Sequence, residues 1–355
     1  MMRVSKDPFV LKDAECVAAS AFIPWNELEG KTIFITGSTG LIGSLLVLSI
    51  ACRNKMYRQN IKVKAMVRRR EKAKHLFSNL LEEAWFEIVE GDVTQSLQSA
   101  GHSDFIIHAA SVTSSKDFVA KPVETIDTAI LGTKNVLEYA KKTAAKGFLY
   151  LSSLEVYGIP EKMIVSEKDS GYIDCLQVRS SYSEGKRLVE CLCCSYAAEY
   201  RVPAKIARLC QTFGAGVDYA DGRVFAQFAR SAIEGTNIVL KTRGETFRNY
   251  CYTSDAVAAL LLLLVKGRSG EAYNVANRET GISIADLAHL VCEKFSSGKS
   301  EVVFDIAKDV GKLGYNPVVK ICLDTAKLEA LGWKAMVPLT EMFERTIGSM
   351  RLHKN

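Results

Sequence analysis

The chain has 355 residues, enough to bury the core of one large domain or of two linked domains. Apolar residues make up 48% of it and charged residues 24%, which is ordinary for a soluble globular enzyme. The net charge of +6 is mild and spread along the sequence, so it fits an anionic small molecule at least as well as DNA, and we expect no nucleic-acid partner.

The cysteines and the apolar segments bear on the compartment. Ten cysteines without regular spacing, and no signal peptide before them, predict a reducing compartment in which the thiols serve as small core residues. The most apolar segment, residues 256–265, is too short to span a bilayer and is predicted to be a buried helix. With no targeting signal recognised, we expect a cytoplasmic protein without a membrane partner.

Short apolar strands alternate with helices from residue 31 onward, after a weakly patterned lead-in. The predicted strands cover residues 32–36, 61–67, 86–89, 105–108, 147–151 and 204–209. The predicted helices cover residues 41–52, 72–81, 123–142 and 179–200. This alternation predicts an α/β fold with a Rossmann-type doubly wound parallel sheet.

The remaining sequence mixes short strands and helices with more glycine and aromatic residues, so it cannot extend the sheet regularly. We predict an N-terminal extension over residues 1–30 and a Rossmann domain over residues 31–210. A smaller C-terminal α+β substrate-binding lobe is expected over residues 211–355, with some of its helices and strands allowed to return to the Rossmann domain.

A glycine-rich loop follows the first predicted strand and opens the first helix. Its three glycines allow a tight turn, a close approach of the backbone to a pyrophosphate and close packing of helix on strand. Free N–H groups and the partial positive charge of the helix N-terminus favour phosphate there. We predict a dinucleotide site formed by Gly37, Thr39, Gly40, Leu41, Ile42 and Gly43.

The second predicted strand ends in Arg68-Arg69-Arg70, where Rossmann enzymes that prefer NAD usually carry an acidic residue. Arg68 and Arg69 can pair with the 2′-phosphate of NADP, and an anion there would relieve the conflict between the arginines and the helix dipole. The alternative is an exposed cationic turn. We favour NADP and leave NAD open, because the missing acid removes a contact without forbidding NAD.

Proton-transfer chemistry is indicated by Tyr182 and Lys186, four residues apart on one face of a predicted helix. A free tyrosine with a pKa near ~10 is a poor base at neutral pH. We expect the Lys186 ammonium and the positive nicotinamide to lower the pKa of Tyr182, and Lys186 to hold the nicotinamide ribose. Ser153, after the fifth strand, is expected to orient the substrate oxygen toward Tyr182.

Small residues follow the fourth strand, where the ribose and diphosphate of the cofactor are expected to pass. They are Ala109, Ala110 and Ser111.

With these motifs in this order, the chain resembles the NAD-dependent epimerase/dehydratase family of extended short-chain dehydrogenases/reductases, most closely its UDP-glucuronate decarboxylase-related members. The resemblance runs from about residue 31 to residue 333. It is strongest in Tyr182-Ser-Glu-Gly-Lys186-Arg-Leu-Val-Glu190, Gln211-Thr-Phe-Gly214, Asp221-Gly-Arg223-Val and Arg248-Asn-Tyr-Cys-Tyr-Thr-Ser-Asp255.

The resemblance implies roles for individual residues. Ser153, Tyr182 and Lys186 would form the catalytic triad, with Glu155 matching a glutamate of the decarboxylases. Asp92, with Val93 beside it, would contact adenine, although a turn-forming aspartate is nearly as good an interpretation. Arg223 and Arg248 would grip the substrate's diphosphate. The substrate-binding set is Thr113, Ser153, Arg179, Gln211, Arg223 and Arg248.

Three departures from the family's pattern indicate a substrate of its own. Leu154 replaces the aspartate of the dehydratases, which argues against water elimination. Gly132 and Thr133 lack the asparagine that normally precedes them, and Gln211 lengthens an asparagine side chain by one methylene.

We therefore expect an NAD(P)-dependent nucleotide-sugar oxidoreductase, used in nucleotide-sugar metabolism or polysaccharide biosynthesis, that acts at a carbinol carbon, C4, with epimerisation or decarboxylation as the outcome. One alternative is an NADPH-dependent reductase of a nucleotide-linked keto-sugar or polyol precursor. A non-enzymatic alternative is a Rossmann-fold redox-sensing or binding protein, against which the complete triad argues.

The resemblance also implies a homodimer formed through the helices at residues 123–142 and 179–200. No metal site is expected, because the five histidines are scattered and no histidine lies near the cysteine cluster. That cluster is interpreted as core packing and consists of Cys191, Cys193 and Cys194.

Overall fold

The computed structural model describes residues 6–97, 100–307 and 318–354. Within these ranges the strands are Thr32–Thr36 (β1), Lys62–Val67 (β2), Phe86–Glu90 (β3), Phe105–His108 (β4), Gly147–Ser153 (β5), Ile164–Val165 (β6), Ala204–Leu209 (β7), Gln211–Phe213 (β8), Ile238–Leu240 (β9), Phe247–Tyr252 (β10), Ala272–Val275 (β11), Asn277–Ser283 (β12), Val302–Phe304 (β13) and Lys320–Leu323 (β14).

The helices of the described residues are Pro8–Ala19 (α1), Trp25–Leu28 (α2), Leu41–Tyr57 (α3), Arg70–Leu76 (α4), Ser115–Ala120 (α5), Pro122–Lys142 (α6), Ser180–Tyr200 (α7), Val224–Glu234 (α8), Thr253–Lys266 (α9), Ile284–Phe295 (α10), Ala326–Glu329 (α11) and Leu339–Leu352 (α12). Short 3₁₀ turns cover Ser78–Leu80 and Leu154–Tyr157.

A seven-stranded parallel sheet forms the centre of the fold, in the order β11-β7-β5-β4-β1-β2-β3. The predicted Rossmann-type sheet is thus confirmed. Strand order reverses between β1 and β4, and a crevice opens at the carboxyl ends of the strands at such a switch point. The glycine loop after β1 and the alanines after β4 therefore meet at the same place.

The two faces of the sheet pack against different helices, because successive side chains of a strand point to opposite sides. Ile33 and Ile35 of β1 belong to a core that includes the inward residues of α3 and α9. Phe34 between them belongs to a second core with α6 and α7. Burial on both faces explains why the central strands read as continuous apolar runs.

A second sheet has the order β12-β10-β14-β6 with β8 beside β10, and all of its strands except β6 come from the C-terminal part of the chain. A third core joins this sheet to α8, α10 and α12 around Phe213, Phe225 and Phe343. The same part of the chain also returns to the main sheet, since β11 pairs with β7 and α9 packs on β5 and β7. The segment predicted as a buried helix over residues 256–265 lies in α9, which is buried from Thr253 to Leu264.

Two sequence expectations need correction. The helix expected over residues 72–81 is shorter, because α4 ends at Leu76 and a 3₁₀ turn follows. The weakly patterned lead-in contains a full helix, α1, that packs on α3, α9 and α12. Its buried face consists of Asp13, Ala14, Val17 and Ala18, and the buried aspartate hides the apolar periodicity. The available signal was Asp7-Pro8, a capping residue followed by proline at the first helical position.

No helix in the described part of the chain is long and apolar enough to cross a membrane.

Candidate active site

The glycine loop joins β1 to α3 in a conformation that only glycine tolerates. Gly37 has φ +68°, and a Cβ there would lie 2.8 Å from the Ala110 nitrogen and 2.9 Å from the Ala109 oxygen. A Cβ on Gly43 would lie 2.2 Å from the Gly37 oxygen. Gly40 is the N-cap of α3 and has no side chain to occupy the first helical amides. The loop thus brings the backbone close to whatever binds above the helix N-terminus.

A buried histidine connects this loop to β4. Thr36 Oγ1 accepts hydrogen bonds from the amides of Ala109 and Ala110, each at 3.1 Å, and lies 2.8 Å from His108 Nδ1. Because Thr36 accepts twice, its own proton is free for Nδ1, and the proton on His108 Nε2 then faces Thr133 Oγ1 at 3.0 Å. Burial, assisted by the charge of Lys186, lowers the pKa of His108 to about 3. The neutral histidine thus orients the Thr36 hydroxyl, and this hydroxyl holds the Ala109-Ala110 backbone against Gly37.

Ser153, Tyr182 and Lys186 come together beside the same edge of the sheet. Ser153 ends β5, and its side chain lies close enough to Tyr182, on the first turn of α7, to lower the pKa of the tyrosine hydroxyl. Lys186 lies one turn further along α7, where its Nζ donates to the Leu151 carbonyl at 2.7 Å. The Lys186 Nζ is 5.6 Å from the centre of the Tyr182 ring. The three residues chosen from the sequence are therefore neighbours.

The groups around Tyr182 act on its pKa in both directions. Burial, followed by the charge of Glu155, raises the pKa of Tyr182 above its usual range. The groups that oppose this rise are the Ser153 hydrogen bond and the charges of Arg179 and Arg223. Burial also lowers the pKa of Lys186 to about 7, although the charge of Glu190 acts in the opposite direction. At neutral pH the side chain is therefore only partly in its charged ammonium form.

Glu155 connects the Ser153 turn to both sides of Tyr182. Its carboxylate accepts two hydrogen bonds from Arg179, at 2.7 and 2.9 Å, and one from Ser183 Oγ at 3.0 Å. Arg179 precedes Tyr182 by three residues and Ser183 follows it by one. The predicted catalytic Glu155 and the predicted substrate-binding Arg179 are thus paired with each other. This pair fixes the position of the tyrosine relative to the turn.

The predicted diphosphate-binding arginines lie in the C-terminal part of the chain. Arg223 is the N-cap of α8, is held by both oxygens of Asp221, and lies close enough to Tyr182 for its charge to act on that hydroxyl. Arg248 lies in β10, next to the strand that begins with Gln211. Its buried Nε has no hydrogen-bond partner among the described residues, so one donor is left for a ligand.

The other predicted cofactor residues lie around the loop. Arg68 and Arg69 are exposed after β2. Asp92 Oδ1 accepts from the amide and hydroxyl of Thr94, at 2.9 and 2.8 Å, so this aspartate forms a turn. Thr113, predicted to bind substrate, is exposed. The remaining predicted cofactor residues are half-buried or buried, except for exposed Gly40; these are Gly37, Thr39, Leu41, Ile42, Gly43, Val93, Ala109, Ala110 and Ser111.

Gly132, before which the family's asparagine is missing, packs closely on Val93. A Cβ at this position would lie 2.9 Å from Val93 Cγ2, so the glycine leaves room for the valine. Asn135, which helical spacing places beside residue 132, contacts the same valine, because its Nδ2 donates to the Val93 carbonyl at 2.9 Å.

Two further points were not anticipated. Phe118 of α5 stacks on the Tyr182 ring, with 4.2 Å between ring centres and 11° between planes, and no motif marks it. Of the cysteines interpreted as core packing, only Cys193 is buried, whereas Cys191 and Cys194 are exposed on α7. Within the described ranges, no group of three or more histidine, cysteine or acidic side chains could hold a metal ion.

Comparison with known proteins agrees with this geometry. The sequence model of the NAD dependent epimerase/dehydratase family matches residues 33–276. UDP-glucuronic acid decarboxylase 1 of Xenopus tropicalis is 31% identical over 326 residues, which cover 92% of this chain and 73% of that protein.

Solved structures show the same fold at lower identity. The UDP-glucose 4-epimerase of Thermotoga maritima, solved with UDP-glucose, superposes with a TM-score of 0.76 at 23% identity and covers 91% of this chain and 100% of its own. The UDP-glucuronic acid 4-epimerase of Bacillus cereus, solved with NAD, gives 0.73 at 22% identity over 91% of this chain and 100% of its own.

Proposed function

The chain belongs to the NAD dependent epimerase/dehydratase family, and we propose that it oxidises a nucleotide-activated sugar at a carbinol carbon, C4, and then decarboxylates or epimerises the keto-sugar. The observation that carries this proposal is the grouping of Ser153, Tyr182 and Lys186 at the carboxyl edge of the sheet. Because the curated relative is a UDP-glucuronic acid decarboxylase, UDP-glucuronate is the first substrate to test.

Each residue of the group has a separate task in this proposal. Tyr182 exchanges the proton of the sugar hydroxyl, and Ser153, which lies beside Tyr182, holds the same oxygen in line. The charges of Arg179 and Arg223 favour the phenolate that oxidation requires. The stacked ring of Phe118 fixes the plane of the tyrosine, so its hydroxyl points in one direction.

The residues around the glycine loop fit a nicotinamide dinucleotide. The fit rests on Gly37 and Gly43, where any Cβ would overlap the backbone, and on the uncapped amides at the start of α3. The chemistry that such a cofactor supplies when bound is reversible acceptance of a hydride. Ala109 and Ala110, held by Thr36, keep the opposite wall of the crevice small.

The cationic turn after β2 supports NADP as the preferred form. Arg68 and Arg69 are exposed and stand where an acidic residue would bind the ribose of NAD. Their guanidinium groups can pair with a 2′-phosphate.

The test is to incubate the protein with UDP-glucuronate and NAD or NADP and to identify the nucleotide sugars by mass spectrometry. A product lighter by the mass of CO2 shows decarboxylation, a product of unchanged mass but different retention shows epimerisation, and a constant cofactor redox state shows that the hydride is returned. Tyr182→Phe is the matched control, with turnover expected to fall by about 10²–10⁴-fold and cofactor binding retained. Near-normal turnover of this variant would remove Tyr182 from the mechanism.

A second candidate is supported by the same arginines. An NADPH-consuming reductase of a nucleotide-linked keto-sugar or polyol precursor would use Tyr182 as the proton donor, which agrees with the raised pKa of this residue. Net consumption of NADPH in the same incubation, with a keto-sugar as substrate, would select this candidate over the closed redox cycle.

A further inference from the structure

The N-terminal helix α1 lies outside the region matched by the family's sequence model, which begins at residue 33. It nevertheless carries two buried carboxylates, Asp7 and Asp13, that are 6% and 1% exposed. Neither touches the candidate active site directly. Both lead, through one intervening side chain each, to the segment of residues 214–223 that ends at Arg223.

The first of these connections starts at Asp13. Tyr252 Oη donates to Asp13 Oδ2 at 2.7 Å, and the same Tyr252 oxygen accepts from the Ala215 amide at 3.2 Å. The second oxygen of Asp13 is held by Arg345 of α12 at 2.8 Å, so the carboxylate cannot turn away. The buried amide of Ala215 is thereby satisfied by a tyrosine that α1 fixes in place.

The second connection runs in parallel, from Asp7 to the next residue of the segment. Ser349 Oγ of α12 donates to Asp7 Oδ2 at 2.5 Å and accepts from the Gly216 amide at 2.8 Å. Asp7 Oδ1 meanwhile caps α1 by accepting from the amides of Phe9 and Val10. One aspartate therefore fixes both the start of the helix and the neighbouring segment.

Close packing holds the segment in the same place. A Cβ on Gly214 would lie 2.6 Å from Thr253 Oγ1, and Gly216 has φ +86°, so neither position accepts a larger residue. A Cβ on Gly216 would contact Val10 of α1 at 3.3 Å and Leu41 of α3 at 3.8 Å. The backbone here passes between the N-terminal helix and the first residue of the phosphate-binding helix.

We propose that α1 is a positioning element for the substrate-binding segment 214–223, acting through the Asp13–Tyr252–Ala215 and Asp7–Ser349–Gly216 hydrogen-bond relays. The inference rests on the proposed function, in which Arg223 grips the substrate's diphosphate. Arg223 stands at the far end of the segment, fixed by Asp221, and its charge reaches Tyr182. Loosening residues 215 and 216 therefore moves the cationic group that the substrate meets, while the glycine loop for the cofactor keeps its own supports.

The test measures amide hydrogen exchange over residues 214–223 in the full-length protein, together with calorimetric titration of UDP and of the cofactor. Ser349→Ala cuts one relay and Tyr252→Phe cuts the other. Thr346→Val is the matched control, because Thr346 is also buried on α12. Its hydroxyl donates a hydrogen bond to the Met342 carbonyl of the same helix, and within the described residues no bond joins it to segment 214–223. Asp13→Asn, which can keep one oxygen toward Tyr252 but loses the acceptor for Arg345, is compared with Asp13→Ala.

Each relay variant is expected to accelerate exchange at its own amide by about two- to tenfold, the effect of one lost buried hydrogen bond. UDP affinity should fall by a similar factor and cofactor affinity should not change. Asp13→Asn should recover only the part of the Asp13→Ala loss that one oxygen toward Tyr252 restores, and Thr346→Val should match the wild type.

Unchanged exchange at residues 215 and 216 in both relay variants would overturn the proposal. The proposal would also be overturned if Arg223→Ala loses UDP binding while the relay variants exchange faster at these residues and bind UDP as tightly as the wild type. If Arg223→Ala itself binds UDP normally, the proposed diphosphate grip is wrong. The exchange measurement still decides separately whether α1 holds the segment.

Discussion

At the scale of single residues, the buried lysine of the site has the clearest electrostatic consequence. Lys186 is 3% exposed, has one carbonyl partner, and is held at a lowered pKa of about 7 by burial. An unfolded lysine has a pKa near ~10.4. Between these two values the unfolded chain binds the extra proton and the folded chain does not, so the stability of the folded state rises with pH across this window. Below about pH 7 the full cost of burying the ammonium is present.

Lys186→Met should therefore stabilise the protein most below pH 7, and its advantage over the wild type should shrink as the pH rises toward 10. Activity should be lost throughout. Unfolding midpoints measured from pH 6 to 10 test this. Lys205→Met is the matched control, because burial lowers the pKa of Lys205 to about 8 and its Nζ donates to the Leu264 carbonyl away from the site. It should show a similar pH trend and keep its activity. A Lys186→Met variant that is less stable than the wild type at pH 6 would show that the ammonium is better stabilised than burial implies.

The site residues show which interactions the sequence could predict. Tyr182 and Lys186 are four positions apart on one helix, and the glycines of the loop lie within seven positions, so local geometry relates them. Glu155 and Arg179 come from a turn and a helix, 24 positions apart, and their mutual pairing follows from tertiary packing alone. The same holds for Phe118, which stacks on Tyr182 from α5. The roles of the individual residues stay predictions.

At the scale of elements, the end of β2 is expected to decide which cofactor binds. Arg68→Ala together with Arg69→Ala should weaken NADP by about ten- to hundredfold, because a charge-assisted contact is worth ~1.5–3 kcal/mol, and should change NAD affinity little. Titrations of both cofactors measure this. Arg70→Ala is the control for removal of a neighbouring arginine, since Arg70 is directed to the Ile88 carbonyl at 3.3 Å. Equal losses for the two cofactors, or preference of the wild type for NAD, would contradict the role of the 2′-phosphate.

The elements themselves were predicted with uneven success, for physical reasons. β1, β4 and β7 match their predicted bounds, because buried parallel strands are short apolar runs with clear ends. α1 was missed because its buried face mixes Asp13 with alanines. That aspartate is satisfied by Tyr252, 239 positions away, which no local pattern reveals. The return of β11 and α9 to the main sheet likewise depends on long-range pairing. The domain boundaries at residues 30 and 210 stay predictions.

At the scale of the whole molecule, the outer faces of α6 and α7 lead us to propose a homodimer. The two helices pack on each other, yet Val123 and Leu188 are 64% and 51% exposed and Ile126 is exposed beside them. An isologous interface that pairs these helices with their copies would cover this apolar surface.

Light scattering at micromolar concentration should therefore give the mass of a dimer, and Leu188→Glu should shift it toward the monomer because a buried carboxylate lacks a partner. Val303→Glu introduces the same charge at an exposed position of β13 and should leave the dimer intact. A monomeric wild type, or a dimer that Leu188→Glu does not disturb, would contradict this assignment of the interface.

The central claim, that a nucleoside diphosphate is held by the C-terminal part of the chain, is tested most directly by calorimetric titration of UDP into the wild type, Arg223→Ala and Arg248→Ala. The buried Nε of Arg248 lacks a partner among the described residues, and Arg223 lies near Tyr182, and we propose that both guanidinium groups bind phosphate oxygens. Each truncation should weaken UDP by about ten- to hundredfold and leave cofactor affinity nearly unchanged. Tight UDP binding that survives both truncations would contradict the nucleotide-sugar assignment.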